Sequence, residues 1–135
     1  MSTPNTPKVV TTGDSLTLEW AFTATGKYPA EDFINGLPTG FESERIGLFR
    51  LFEKLASTGI IRNKELFKKV EGTQLFEFKR GQLRVLCAYN PQRRGTMFLL
   101  AGEIKKTGKL SPSTITRAQD VLDHMVSLEE AETKP

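Results

Sequence analysis

Residues 75–109 read LFEFKRGQLRVLCAYNPQRRGTMFLLAGEIKKTGK, and this stretch decides the fold. The joints Arg80-Gly81-Gln82 and 90–95 contain turn-forming residues and are short enough for hairpins. Between and beside the joints, apolar runs predict three strands, at Leu75–Lys79, Leu83–Tyr89 and Thr96–Glu103. The stretch therefore predicts an antiparallel meander at the centre of the fold, with one face buried and one face in water.

The flanking segments predict one further strand and the helices. Leu16–Phe22 alternates apolar and other residues, which indicates a half-buried strand beside the meander. A short helix is expected over Ala30–Leu37, and apolar residues at helical spacing predict a longer one from about Thr39 to Ser57. Asn63–Lys69 reads as a short basic segment with a single turn of helix.

Two helix starts have capping patterns. Thr39 with Glu42 three residues later matches a capping box. Ser111 followed by Pro112 is an N-cap with proline at the first helical position, and this last helix is expected to run to about Leu128. The order of elements predicts an α+β fold: a mostly antiparallel sheet, made of an N-terminal strand plus the three-stranded meander, with helices on one face and a C-terminal helix.

The chain of 135 residues has the length of one domain. We expect a disordered N-terminal tail over 1–13, a single domain over 14–128 and a frayed C-terminus over 129–135. The N-terminus shows no secretory signal pattern, and no apolar run reaches the roughly 20 residues that span a membrane. A single cysteine, Cys87, excludes an intramolecular disulfide. These features predict a cytoplasmic protein that is not associated with a membrane.

Positive charge is concentrated in the second half of the chain. Residues 61–110 contain 12 basic and 4 acidic side chains, whereas residues 1–60 contain 5 and 7, and residues 111–135 contain 2 and 5. A basic centre between acidic flanks favours an anionic partner for the sheet. The alternative is a solvated lysine-rich surface without a ligand, which charge alone does not exclude.

Several kinds of chemistry lack the residues that they need. One histidine, His124, and one cysteine do not supply an ordinary zinc site, and the glycines form neither a phosphate loop nor a dinucleotide fingerprint. We therefore predict neither a metal nor a cofactor. Clustered cations remain: arginine can hold a phosphate, and lysine among other cations can act as a general base, because neighbouring cations disfavour its charged form. Such a site could cleave RNA through its 2′-hydroxyl.

Arg84 is the most informative of these cations. It lies within an apolar strand, where a charge is costly unless it is paired or functional. Two interpretations stay open from the residues alone. Arg84 either forms a structural ion pair with Glu77 on the neighbouring strand or binds an anionic ligand.

The order of these segments resembles the HigB-like branch of the RelE/ParE superfamily of type II toxins, including phage-derived members. The resemblance covers roughly Pro29 to Leu128. It is carried by FEFKRGQLR at 76–84, a hydrophobic third strand, KKTGKLSP at 105–112 and FINGLP at 33–38. It implies a RelE-like small domain and a toxin that inhibits translation as a metal-independent, ribosome-dependent mRNA endonuclease. It also implies a cognate antitoxin, a HigA-like helix-turn-helix protein, as partner.

The resemblance also implies roles for individual residues. Arg84 matches the strand arginine that contacts the scissile phosphate, and Lys105 and Lys106 match the basic pair after the last strand. These three are the expected catalytic residues. The expected RNA-binding residues are the other cations on or beside the meander: Lys68, Lys69, Lys79, Arg80, Arg93, Arg94 and Lys109.

Two departures leave other functions open. Ser111, Ser113 and Thr114 stand where many RelE-like nucleases have an aromatic residue or a histidine, and Glu77 stands where some active members have lysine. One alternative is a relative that is not a nuclease, acting on a gyrase-type protein target or surviving as a non-toxic phage or mobile-element protein. Another is a plain RNA-binding module, although the meander offers mainly Tyr89 for stacking on bases.

Overall fold

The computed structural model describes residue 6, residues 8–105 and residues 108–133. In this part of the chain, strands form one sheet and helices pack on it. In chain order the elements are β1 (Lys8–Thr12), β2 (Thr17–Trp20), α1 (Pro29–Asn35), α2 (Glu42–Thr58), β3 (Phe67–Lys69), β4 (Phe76–Arg80), β5 (Leu83–Tyr89), β6 (Thr96–Ile104) and α3 (Pro112–Thr133).

The sheet confirms the predicted α+β class with a mostly antiparallel sheet. Its strand order is β1-β2-β6-β5-β4-β3, and every neighbouring pair is antiparallel except β2 and β6. The meander β4–β5–β6 lies at its centre, as the turn residues predicted. Gly81 in the first hairpin has φ +55°, a left-handed conformation that glycine adopts without steric cost.

Helices cover both faces of the sheet, so the prediction of one wet face is wrong. On one face Val85 and Cys87 pack in a cluster with residues of α1 and α2. On the other face Leu86 and Ala88 pack in a cluster with the inner side of α3. The reason is the composition of β5, which presents apolar residues in both directions, and a strand of this kind needs cover on both sides.

The N-terminal boundary also differs from the prediction. Lys8–Thr12 forms β1, an edge strand paired with β2, so a disordered tail reaching Gly13 is wrong for residues 8–12. The segment is rich in β-branched residues, which favour extended structure. It is also fastened to the region of α1: the Tyr28 hydroxyl donates to the Thr6 carbonyl at 2.7 Å, and Lys8 pairs with Glu31 at 3.0 Å. Residues 1–5 and 7 lie outside the described residues, and the single domain over 14–128 stays a prediction.

The last helix continues past its expected end. α3 runs to Thr133, whereas fraying was expected from residue 129. Asn90 donates a hydrogen bond to the Glu129 carboxylate at 2.8 Å, and this contact ties the last turns of α3 to the end of β5. The sequence pattern placed the end too early because this stabilisation comes from another part of the chain.

Two local predictions are also corrected. Phe41, and not Thr39, is the N-cap of α2, and the Glu42 carboxylate accepts from the Gly40 backbone N–H instead of completing a capping box. The basic segment Asn63–Lys69 ends in β3, which pairs with β4. Short strands at the edge of a sheet depend on their partner more than on their own composition.

The Gly102→Ala variant tests how closely α1 packs on β6. A Cβ atom at Gly102 would overlap the ring of Phe33, a half-buried side chain that packs against the core, so this ring would have to shift. We expect the substitution to lower the free energy of unfolding by about 1–3 kcal/mol, as overpacking does. Urea denaturation measures the loss. The double variant Gly102→Ala with Phe33→Leu should lose less than the sum of the two single variants, and strict additivity would contradict the contact.

Candidate nucleic-acid interface

An open groove lies where α3 stops covering the sheet. α3 packs on β6 and β5, and its first residue, Pro112, lies beyond the end of β6. The groove has a volume of about 810 Å³. Its walls come from β3, β4, the segment before β3 and the start of α3.

The groove is strongly cationic. Seven basic and two acidic residues line it, which gives a formal charge of +5. Apolar side chains such as Val70, Leu110 and Ile115 form part of the same lining. A cationic groove that also has apolar side chains in its lining is suited to single-stranded nucleic acid, which has an anionic backbone and bases with flat apolar faces. The charged residues are Arg62, Lys64, Lys68, Lys69, Lys79, Arg84, Lys109, Glu71 and Glu77.

Arg84 lines the groove and is almost fully enclosed. Its side chain is 9% exposed. Nη1 donates to the carbonyl oxygens of Gly81 at 2.6 Å and Leu83 at 3.0 Å, so the guanidinium also fastens the β4–β5 hairpin. Nε lies 3.4 Å from Oε2 of Glu77. The ion pair that the sequence left open is therefore present, and Arg84 also lines the groove.

Glu77 is the carboxylate that contacts Arg84. It is buried on β4, with Lys68 of β3 directly opposite in the strand register. Burial raises the pKa of the Glu77 carboxyl, although Lys68, Arg84 and Lys79 each act to lower it. In the sequence, Glu77 was a possible partner for Arg84 and a departure from the lysine of some active RelE-like members. Its burial and its cationic surroundings depend on strand pairing, which composition does not reveal.

Glu103 fixes the start of α3 beside the groove. Its carboxylate accepts from the Ser111 backbone N–H at 2.9 Å and from the Thr114 hydroxyl at 3.0 Å. Burial acts to raise the pKa of Glu103, but the hydrogen bonds from Ser111 and Thr114 and the charge of Lys105 outweigh it and hold the pKa below its ordinary value. A carboxylate at the N-terminus of a helix is also stabilised by the helix dipole.

Five of the predicted site residues line the groove together. The five are Lys68, Lys69, Lys79, Arg84 and Lys109. Lys105 lies close to Glu103, and the Lys105 backbone N–H donates to the carbonyl oxygen of Gln82 at 2.7 Å. Lys106 lies outside the described residues.

The remaining predicted cations point elsewhere. The Arg80 side chain packs along Gly47 of α2, on the opposite face from α3. Arg93 is at the other end of β5, paired with Glu19 at 2.7 Å, and Arg94 is exposed in the same turn. RNA binding by Arg80, Arg93 and Arg94 stays a prediction, without support from their positions.

Conversely, Arg62 and Lys64 line the groove and were not among the predicted site residues. The one sequence signal for them was their nearness to Lys68 and Lys69.

The chain belongs to the phage-derived Gp49-like family (DUF891), whose model matches residues 32–123. This family is associated with RelE-like, toxin-like proteins. The matched segment includes all of the strands and turns that form the groove. The narrower likeness to the HigB-like branch stays a prediction. A search of curated proteins gave no match.

Two searches of the described residues gave negative results. Among residues 8–105 and 108–133, no three histidine, cysteine or acidic side chains are grouped so that they could hold a metal ion. None of the helices in that part of the chain combines the length and apolar character needed to cross a lipid bilayer.

Glu77→Gln and Glu103→Gln should change stability in opposite directions at neutral pH. The pKa of Glu103 is lowered by folding, so its carboxylate contributes stability above the ordinary value of 4.5, and this contribution is lost as the pH falls through the folded-state pKa. Glu103→Gln should therefore cost about 1–2 kcal/mol at neutral pH and less in acid. The pKa of Glu77 is raised, so ionisation opposes folding, and Glu77→Gln should stabilise the protein above pH 4.5.

Urea denaturation of both variants at several pH values measures these differences. The difference for Glu77→Gln should shrink as the pH falls toward 4.5, whereas the difference for Glu103→Gln should shrink only as the pH falls below 4.5. A Glu77→Gln variant that is less stable than the wild type at neutral pH would mean that the Arg84 ion pair outweighs the cost of burying the charge.

Proposed function

We propose that this protein is the toxin of a type II toxin–antitoxin pair, and that it inhibits translation by cleaving mRNA on the ribosome. The observation that carries the proposal is the groove, with its formal charge of +5 and a buried arginine in its lining. Membership of a family associated with RelE-like proteins supports the same conclusion. The site of action would be the cytoplasm, where ribosomes translate.

The proposed reaction needs cations that stabilise charge on phosphorus. The 2′-oxygen of one nucleotide forms a bond to the adjacent phosphorus, and the bond from phosphorus to the 5′-oxygen of the next nucleotide breaks. A base takes the proton of the 2′-hydroxyl, and an acid protonates the leaving 5′-oxygen. Arg84 would hold the scissile phosphate, and Lys105 and Lys106 would transfer protons. In this proposal lysine and arginine, and no metal ion, supply the positive charge.

The other groove lysines would bind the flanking phosphates. Lys68 and Lys109 are exposed on two different walls of the groove, which suits contacts with successive phosphates of one strand. A HigA-like helix-turn-helix antitoxin would neutralise the toxin as its protein partner.

A second candidate function has one observation in its favour. The Arg84 donors already contact Glu77, Gly81 and Leu83, which is what a purely structural arginine would do. This arrangement suits a relative that has kept the fold and lost the nuclease. Such a protein would act on a gyrase-type protein target or would not be toxic.

Induced expression in bacteria, with mapping of mRNA 5′-ends, separates these functions. We expect the wild type to arrest growth and to produce in-frame cuts within translated messages. Arg84→Ala should lower cleavage at least about 100-fold, because it removes the main donor to the phosphate. Arg50→Ala is the matched control: it removes an exposed arginine of α2 outside the groove and should stay toxic. Arrest without cuts would support a protein target, and no arrest would support the non-toxic relative.

The double variant Lys69→Glu with Lys109→Glu tests the groove without disturbing the buried pair, because Lys69 lies opposite Phe76 and not opposite Glu77. Both side chains are exposed, so folding should be unaffected. We expect cleavage in a translation extract to fall at least about tenfold and to become less dependent on salt, because two phosphate contacts are lost. The single variant Arg50→Glu controls for added negative charge outside the groove. Unchanged cleavage by the double variant would place the RNA elsewhere.

A further inference from the structure

The contacts of Arg84 determine how an anion could bind there. Arginine usually holds a phosphate through two neighbouring N–H groups. Nη1 of Arg84 donates to the carbonyls of Gly81 and Leu83 within the hairpin. The edge formed by Nε and Nη2 is thus the one available for two parallel hydrogen bonds, and Nε is the atom that lies 3.4 Å from the Glu77 carboxylate.

A phosphate on this edge would therefore meet Glu77. The two side chains are only 9% and 6% exposed, so water screens little of the repulsion between a bound phosphate and an ionised carboxylate. Protonation of the carboxyl removes this repulsion and turns one oxygen into a donor toward the phosphate.

The other charged groups around Glu77 are not suited to remove this repulsion by taking up a proton. Lys68 faces it from β3, Lys79 lies on its own strand and Arg84 faces it from β5, all of them cations that attract phosphate. Glu103 acts on it from β6, but the Glu103 carboxylate is held by Ser111 and Thr114. Lysine and arginine ordinarily titrate far above neutral pH, so Glu77 is the group in this cluster suited to take up a proton.

We propose that Glu77 is the internal ligand of the Arg84 guanidinium, and that a nucleic-acid phosphate replaces it with uptake of one proton by the Glu77 carboxylate. Glu77 is then a group that makes phosphate binding in the groove depend on pH. The proposal rests on the proposed RNA-binding function of the groove and adds the condition under which the phosphate enters. The raised pKa of the Glu77 carboxyl agrees with the geometry.

The test measures binding without cleavage. The probe is a short fluorescent 2′-O-methyl oligoribonucleotide, which has the phosphates of RNA and lacks the attacking hydroxyl. For the wild type, uptake of one proton predicts that Kd rises about tenfold per pH unit from about pH 6 to about pH 8. Glu77→Gln resembles the protonated side chain. It should bind with a Kd independent of pH and at least about 100-fold tighter than the wild type at about pH 8, which is the whole rise of the wild-type Kd over these two pH units.

Two control variants test whether the pH dependence of Kd comes from Glu77 and Arg84. Glu71→Gln removes the same charge from an exposed position on the same groove, so it should keep the pH dependence of the wild type. Arg84→Gln should bind weakly at every pH. A wild-type Kd that does not change with pH, or a Glu77→Gln variant that keeps the wild-type slope, overturns the proposal, as does failure of both proteins to bind the probe.

The outcome is independent of the nuclease assay in cells. Proton-linked binding without in-frame cuts would keep this inference and refute the proposed nuclease. Cuts that depend on Arg84, together with binding that does not depend on pH, would do the reverse.

Discussion

The central strand β5 constrains the rest of the structure, because most of its side chains are apolar in both directions. Such a strand is stable only when both faces are covered, and two helical layers on opposite sides of the sheet provide that cover. Cover on one side ends where α3 begins, at Pro112. The groove results directly from this limit, since the sheet extends to β4 and β3 beyond the helix.

A buried arginine on such a strand needs compensation, and the structure supplies it within a short distance. Two hairpin carbonyls and the Glu77 carboxylate surround the Arg84 guanidinium. Buried ion pairs of this kind add little to stability, because desolvation offsets the attraction between the charges. The groove around the pair has a large excess of positive charge, and this agrees with the proposal that Arg84 binds a phosphate. Arg93, by contrast, is half exposed, and it pairs with the buried Glu19 and with the partly exposed Glu129.

Much of the fold followed from pattern. The three meander strands were predicted to within one or two residues, and the proline after Ser111 marked the start of the last helix. The misplaced elements share one cause. β1, β3 and the last turns of α3 depend on contacts with distant segments, namely strand partners and the Asn90–Glu129 hydrogen bond. Thr39 failed as a cap for a local reason: the Glu42 carboxylate accepts from the Gly40 backbone N–H, and Phe41 is the N-cap of α2.

The sequence by itself determined the meander, the concentration of positive charge between residues 61 and 110 and the prominence of Arg84. It did so because strand periodicity and composition are local properties. Only the tertiary structure decided which cations form one groove. Arg62, Lys64 and Lys109 joined Arg84 there, whereas Arg80 and Arg93 were directed to other surfaces. Strand register and the position of α3 set these placements, and both depend on packing between segments far apart in the chain.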